Sequence, residues 1–188
     1  MWLVLFFAAS TGVRASEQWA VRWSDIGFNS GALNIRRRVD VYCEEGAPKT
    51  AAGEREIPVP ALLLTRLKAR RLRSKYSSPD DLVFPNADGN YTGHDNFVKR
   101  RFLPLFGKLE AAHREDPATA PKPPARFTWH ALRHYAISTW IEAGLAPKTV
   151  QIFAGHASLQ VTMDRYGHLF PSDDHQRAMD AIARGLFQ

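Results

Sequence analysis

Ala154-Gly155-His156-Ala157-Ser158-Leu159-Gln160-Val161-Thr162-Met163-Asp164-Arg165-Tyr166-Gly167-His168-Leu169-Phe170-Pro171 is the stretch from which the rest of this 188-residue sequence can be read. Pro147 suits the first turn of a helix, and Gly155 sits where that helix would end, because glycine accepts the left-handed conformation of a helix C-terminus. Leu159 to Arg165 reads as the next helix. A histidine in the intervening turn is thus followed, ten residues later, by a tyrosine at a helix end. Taken singly, Tyr166 reads as an ordinary core or surface tyrosine and His156 as a loop histidine. Their neighbours change that reading.

Immediately upstream stands His130-Ala131-Leu132-Arg133-His134. Thr128 is a candidate N-cap for a helix from Trp129 to Ala143. Leu132, Tyr135, Ala136, Thr139 and Ala143 are expected on its buried face, with His130, Arg133 and His134 on roughly the opposite side. Gly144 ends it. His130 and His134, one turn apart, could bind a metal, but the segment lacks a metalloprotease glutamate and Arg133 would repel a cation.

Further out, the apolar run Trp2 to Ala9 reads as a buried helix stopped at Thr11-Gly12, too short to span a bilayer. A short helix or turn follows from Arg14 to Ala20. Asn34 to Tyr42 and Arg55 to Val59 read as strands around a Gly/Pro-rich turn, with Pro60 closing the second. Ala61 to Tyr76 and Asp95 to Leu105 are expected helices. Gly107 to Arg126, rich in proline and charge, is expected to be a flexible insertion. Ser172 is expected to cap a last helix ending near Arg184. These elements predict a single domain, mainly α with a small antiparallel β-sheet (α+β).

The net charge is +6, and it is concentrated: residues 61–107 carry nine basic and four acidic side chains. Arg66, Arg70 and Arg73 fall on one helix face, and Lys99, Arg100 and Arg101 form a second cluster. Such an excess suits a polyanion, so these six are candidate DNA contacts, although a solvated face would look the same. Cys43 is the single cysteine, which excludes an intrachain disulfide and a multi-cysteine metal site and fits a reducing cytoplasm.

Four segments occur in order: Thr11–Glu17 (TGVRASE), Pro48–Pro60 (PKTAAGEREIPVP), His130–His134 and Ala154–Pro171. Together they resemble the catalytic domain of the tyrosine recombinases, the phage integrase family. The resemblance implies an enzyme that performs site-specific recombination of double-stranded DNA through a 3′-phosphotyrosyl intermediate. It makes Tyr166 the nucleophile. Arg14, Lys49, His130, Arg133 and His156 become the other catalytic residues, Glu17 the support of Arg14, and His134 a structural or supporting residue. Two arginine forks suit the charge of a pentavalent phosphorane. A free phenol, with a pKa of about 10, is a poor nucleophile at neutral pH, so neighbouring cations are expected to lower it and a histidine to take its proton. Lys49 is the expected acid for the 5′ oxygen. The phosphotyrosyl link conserves bond energy, so no cofactor or metal is implied. The family's reaction takes two duplexes and four protomers, and Asp173 to Phe187 would be the segment that docks on a neighbouring copy.

The sequence departs from the family at Ala154, where a larger apolar residue is usual, and at Gln18-Trp19, where leucines are. The chain is expected to be a catalytic domain truncated at its N-terminus, without the upstream core-binding domain. Three other readings compete. In one, Trp129–Ala143, the Gly144–Ala146 turn and Pro147–Ala154 form a helix-turn-helix in a non-catalytic DNA-binding module. In another, the same chemistry serves a type IB topoisomerase. The third is a degenerate fragment that folds poorly.

Overall fold

The computed structural model describes residues 1–170 and 175–186. Helix α1 (Trp2–Thr11) buries Phe7 and Ala8 and packs against α3 (Ala61–Arg73) and α6 (His130–Glu142). Gly12 stops it at φ 59°, its N–H bonding the Ala8 carbonyl at 3.0 Å. That turn delivers Arg14 to the start of the short helix α2 (Ala15–Gln18).

An antiparallel sheet follows, in the order β1 (Ile26–Gly27), β2 (Ala32–Ile35), β5 (Arg55–Pro58). Leu33 opposes Ile57 and Ile35 opposes Arg55. The single strand expected over 34–42 is instead divided. Its first part ends at Ile35, and β3 (Arg38–Val39) pairs with β4 (Glu45–Gly46) in a separate ribbon. Local polar groups cause the break. Arg37 turns aside to pair with buried Asp25 at 2.5 Å, and the Asp40 carboxylate accepts the backbone N–H groups of Tyr42 and Glu44 in a tight turn.

The principal core is aromatic. Trp19 contacts Phe84, Phe97 and Trp129, and Trp129 meets Phe102, which continues to Phe106 and Phe127. Burying each such side chain contributes on the order of 1.5–3 kcal/mol. This packing corrects the first part of the expected flexible insertion over 107–126, since residues 107–115 are helical. The helix started by α4 (His94–Phe97) passes through a π-helical stretch (Val98–Phe102) into α5 (Leu103–Glu115). Phe102 and Phe106 are buried and hold it down, so residues 107–115 are helical; regular structure then lapses until α6.

Helix α6 also differs from its expected orientation. Arg133, Ala136, Ile137 and Ile141 form its buried face, whereas Tyr135 is 61% exposed and Ala143 is exposed. A second apolar cluster explains this. Ile137 and Ile141 pack with Val150 and Ala154 of α7 (Pro147–Ala154) and with Tyr166 of α8 (Leu159–Tyr166). Gly144 (φ 83°) and Gly155 (φ 64°) make the turns on either side of α7, and Ser158 caps α8. Helix α9 (His175–Leu186) follows, with Met179, Ile182 and Leu186 exposed. The expected cap at Ser172 lies outside the described residues.

Candidate active site

The C-terminus of α7 organises the site. Its last carbonyls point out of the helix without intrahelical partners. Three consecutive ones accept bonds from three arginines: Phe153 from Arg55 Nε at 2.8 Å, Ala154 from Arg133 Nη2 at 2.6 Å, and Gly155 from Arg14 Nη2 at 2.9 Å. Cations are favoured at this negative end of a helix. Arg133 also donates to Gly12 O at 2.6 Å, tying α6 to the turn that precedes Arg14.

Glu17 joins two of these arginines. It accepts from Arg14 Nη1 at 2.9 Å and from both terminal nitrogens of Arg55, at 3.0 and 2.9 Å. Burial pushes its carboxyl up, but the Arg55 and Arg14 contacts outweigh that and hold it below the ordinary value. Glu17 therefore stays ionised among the arginines.

Tyr166 is 4% exposed. Its hydroxyl lies 2.6 Å from His134 Nδ1, and its ring lies parallel to that of His156, with centroids 6.3 Å apart. His156 Nδ1 is 2.9 Å from Thr162 Oγ1. His130 sits exposed at the start of α6, its ring edge-on to His134 at 4.7 Å. Burial, followed by the charges of Arg133 and Arg14, brings His156 down to about 4, so it is neutral at pH 7. Burial and neighbouring cations also lower His130 and His134. Arg133 is lowered to about 10, mainly by burial, and remains a cation.

The phenol differs from expectation. Burial raises the Tyr166 pKa and outweighs the opposing effect of Arg133 and Arg165. Arg133 is turned toward carbonyls, so the net effect of this pocket is to keep the phenol protonated.

Arg14, Glu17, His130, Arg133, His134, His156 and Tyr166 are thus gathered from α2, α6, the α7–α8 turn and α8. Lys49 is not joined to them: it is exposed in the loop after β4, bonded to none of these side chains. That loop nonetheless borders the cluster, because Arg55 Nη1 donates to Gly53 O at 2.8 Å. Among the expected DNA contacts, Arg70, Arg100 and Arg101 line one open groove of about 640 Å³ with Trp19, Phe97 and Tyr91. Arg66 lies over the Trp2 ring, while Arg73 and Lys99 are exposed.

Sequence reasoning missed Arg55, Thr162 and Arg165. A signal for Arg55 was available. The two-residue period of β5 puts it on the same face as buried Ile57, and an inward arginine requires a carboxylate or carbonyls. Among the described residues, no group of three or more His, Cys, Asp or Glu side chains could hold a metal ion, and no helix is long and apolar enough to cross a membrane.

Comparison with known proteins defines the class to which this fold and cluster belong. The sequence profile of the phage integrase family matches residues 2–173, and the chain belongs to that family. It is 25% identical over 191 residues to a XerC-like tyrosine recombinase of Caldanaerobacter subterraneus, covering 89% of this chain and 45% of that protein. It is 28% identical over 174 residues to the transposase of transposon Tn916 from Enterococcus faecalis, covering 84% of this chain and 40% of the relative. The chain therefore spans less than half the length of these curated relatives. The fold is similar to that of the Tn1549 transposon integrase in complex with circular intermediate DNA, with a TM-score of 0.70 and 20% identity over 97% of this chain and 59% of that one.

Proposed function

We propose that this chain breaks and rejoins double-stranded DNA through a 3′-phosphotyrosyl link on Tyr166, as the catalytic part of a phage or mobile-element site-specific recombinase. The observation that carries this reading is the Tyr166 hydroxyl held beside a histidine cluster and Arg133, with Arg14 on the solvent side. The relatives' names, a transposase and a tyrosine recombinase, support a recombination role.

Arg133 has five N–H donors and commits two of its nitrogens to carbonyls, so donors remain for a non-bridging phosphate oxygen. Arg14, 41% exposed at its side chain, supplies the second fork of donors for the phosphate. His130 adds a donor at the N-terminus of α6, where anions are favoured. His156, neutral and fixed through Nδ1 by Thr162, has Nε2 left for another oxygen. Such preorganised donors supply the largest share of catalysis in reactions of this type. Lys49 reaches the 5′ oxygen only if its loop moves inward with DNA. Recombination needs four protomers on two duplexes. The exposed Met179, Ile182 and Leu186, at helical spacing on α9, supply an apolar face for docking on a neighbouring copy. The activity belongs to the cytoplasm, a reading that a DNA substrate and the free thiol of Cys43 support.

Covalent trapping tests the reading. The chain is incubated, with chelator, with a panel of nicked suicide duplexes, and denaturing gels are read for a protein–DNA adduct. An adduct in wild type and none in Tyr166→Phe is expected. An equal adduct in Tyr166→Phe would overturn the assignment. So would the absence of any adduct from a folded chain, even with a relative's upstream clamp domain supplied.

A further inference from the structure

We infer that His134 is the group that takes the proton from Tyr166 as its oxygen attacks the phosphorus, and returns it on rejoining. The inference rests on the strand-cleavage reading above and goes beyond a supporting role for this histidine. Among the described residues, His134 carries the ring nitrogen within hydrogen-bonding distance of the hydroxyl, at 2.6 Å. The other two histidines are placed differently. His156 has its Nδ1 on Thr162 and its ring parallel to that of Tyr166, alongside the phenol and not at its oxygen. His130 lies edge-on behind His134 and is exposed.

The surroundings set the direction of the bond. From α6 itself, Arg133 and His130 stand near His134; from α8, Arg165 and Tyr166. Helix α1 brings no ionisable side chain, Lys148 of α7 is bonded to Gln151, and His168 beyond α8 is exposed. Burial and then the charges of Arg165 and Arg133 keep His134 neutral. The phenol is kept protonated by burial. A protonated phenol facing a neutral imidazole donates its hydrogen, so Nδ1 is the acceptor and the ring proton sits on Nε2.

The step balances. The Tyr166 O–H bond breaks and its proton passes to Nδ1 as the Oη–P bond forms. The P–O5′ bond breaks, and the departing oxygen takes a proton from Lys49 or water. The imidazolium that results would be disfavoured beside Arg133 and Arg165 in the free protein. The scissile phosphodiester brings the negative charge that offsets them, so His134 becomes a better base only when substrate is in place. In rejoining, the same proton goes back to the tyrosine oxygen as it leaves.

Two measurements test this. In the first, single-turnover adduct formation is followed against pH for wild type, His134→Asn and His134→Ala, each checked for folding by cooperative denaturation. Asparagine can still accept the phenol's hydrogen bond but cannot carry its proton away. A loss of about 10²–10⁴-fold at neutral pH is expected for His134→Asn. The variant should then gain about tenfold per pH unit as the phenol, which burial holds above its ordinary range, begins to ionise, while wild type stays flat, and imidazole in the buffer should rescue His134→Ala. A variant with the wild-type rate, or one depressed equally at every pH and not rescued, would overturn the proposal. The second needs no DNA and separates this proposal from the cleavage reading itself. Nitrogen-15 NMR of the free protein reports the His134 tautomer. A proton on Nε2, with Nδ1 responding to Tyr166→Phe, is expected; a proton on Nδ1 would overturn the proposal even if adducts form.

Discussion

The Glu17 carboxylate and the Arg55 guanidinium meet in two parallel N–H···O bonds of 3.0 and 2.9 Å, with side chains 3% and 2% exposed. The pair is the buried support of the candidate active site. Glu17 holds Arg14, and Arg55 holds the last turn of α7, so together they set the distance between the first arginine and the His156 turn. A buried pair of this kind adds little over an apolar substitute, but removing one partner leaves an uncompensated charge.

Arg55→Ala is accordingly expected to destabilise the chain by about 3–5 kcal/mol. Urea denaturation at pH 7 measures this. Glu17→Gln alone and the double variant complete a cycle, and a coupling near zero would show that the two side chains do not depend on one another.

Gly155 is constrained twice. Its φ is +64°, and a Cβ there would lie 2.8 Å from Arg55 Nη1 and 3.0 Å from the Ala52 carbonyl. Gly155→Ala should cost about 1–3 kcal/mol from backbone strain and displacement of the guanidinium. The adduct rate should fall with it, because Arg14 donates to the carbonyl of this same residue. Thermal denaturation and single-turnover trapping read the two effects separately.

The depressed His156 gives acid sensitivity. Its folded value of about 4 lies below the ordinary 6.5, so the folded state binds fewer protons than the unfolded one between them. The stabilisation is fully present above pH 6.5 and is lost as pH falls through this window, by up to about 1.4 kcal/mol per unit. His156→Gln should flatten that part of a stability–pH curve. A wild-type curve already flat from pH 6.5 to 4 would show that His156 is not held neutral.

Tyr166→Phe separates chemistry from folding. It removes one part-buried hydrogen bond, a loss of about 0.5–1.5 kcal/mol, and leaves the aromatic contacts in place. The variant should therefore denature almost as wild type does while forming no adduct. A loss of several kcal/mol would mean the hydroxyl has a structural role.

Arg70, Arg100 and Arg101 line one groove, and on the strand-cleavage reading proposed above they are candidate phosphate contacts. Replacing Arg100 and Arg101 by alanine should weaken DNA binding for all sequences alike. It should also reduce the slope of log affinity against log salt by about one for each phosphate that is no longer neutralised. Fluorescence anisotropy at several salt concentrations checks this. An unchanged slope would place the DNA elsewhere.

The sequence alone was sufficient for the helical character, the small antiparallel sheet, the turns at Gly12, Gly144 and Gly155, and the residue types that gather around Tyr166. These are legible because each depends on a short-range rule. Glycine tolerates the left-handed turn, proline suits a helix start, and the four motifs keep their own internal spacing. The tertiary structure decided what those rules do not reach. Period 3.6 did not reveal that Arg133 faces inward, because its burial depends on carbonyls of Gly12 and Ala154 at distant and nearby points of the chain. The helix through residues 107–115 exists because Phe102 and Phe106 pack against Phe127 and Trp129, which outweighs a composition that reads as flexible. The division of the strand at Ile35 follows from Arg37 finding Asp25, and the protonated state of Tyr166 from a pocket closed by several helices. Identity and local turns are encoded along the chain, whereas burial and charge state arise from pairings across it, where desolvation and long-range partners determine the balance.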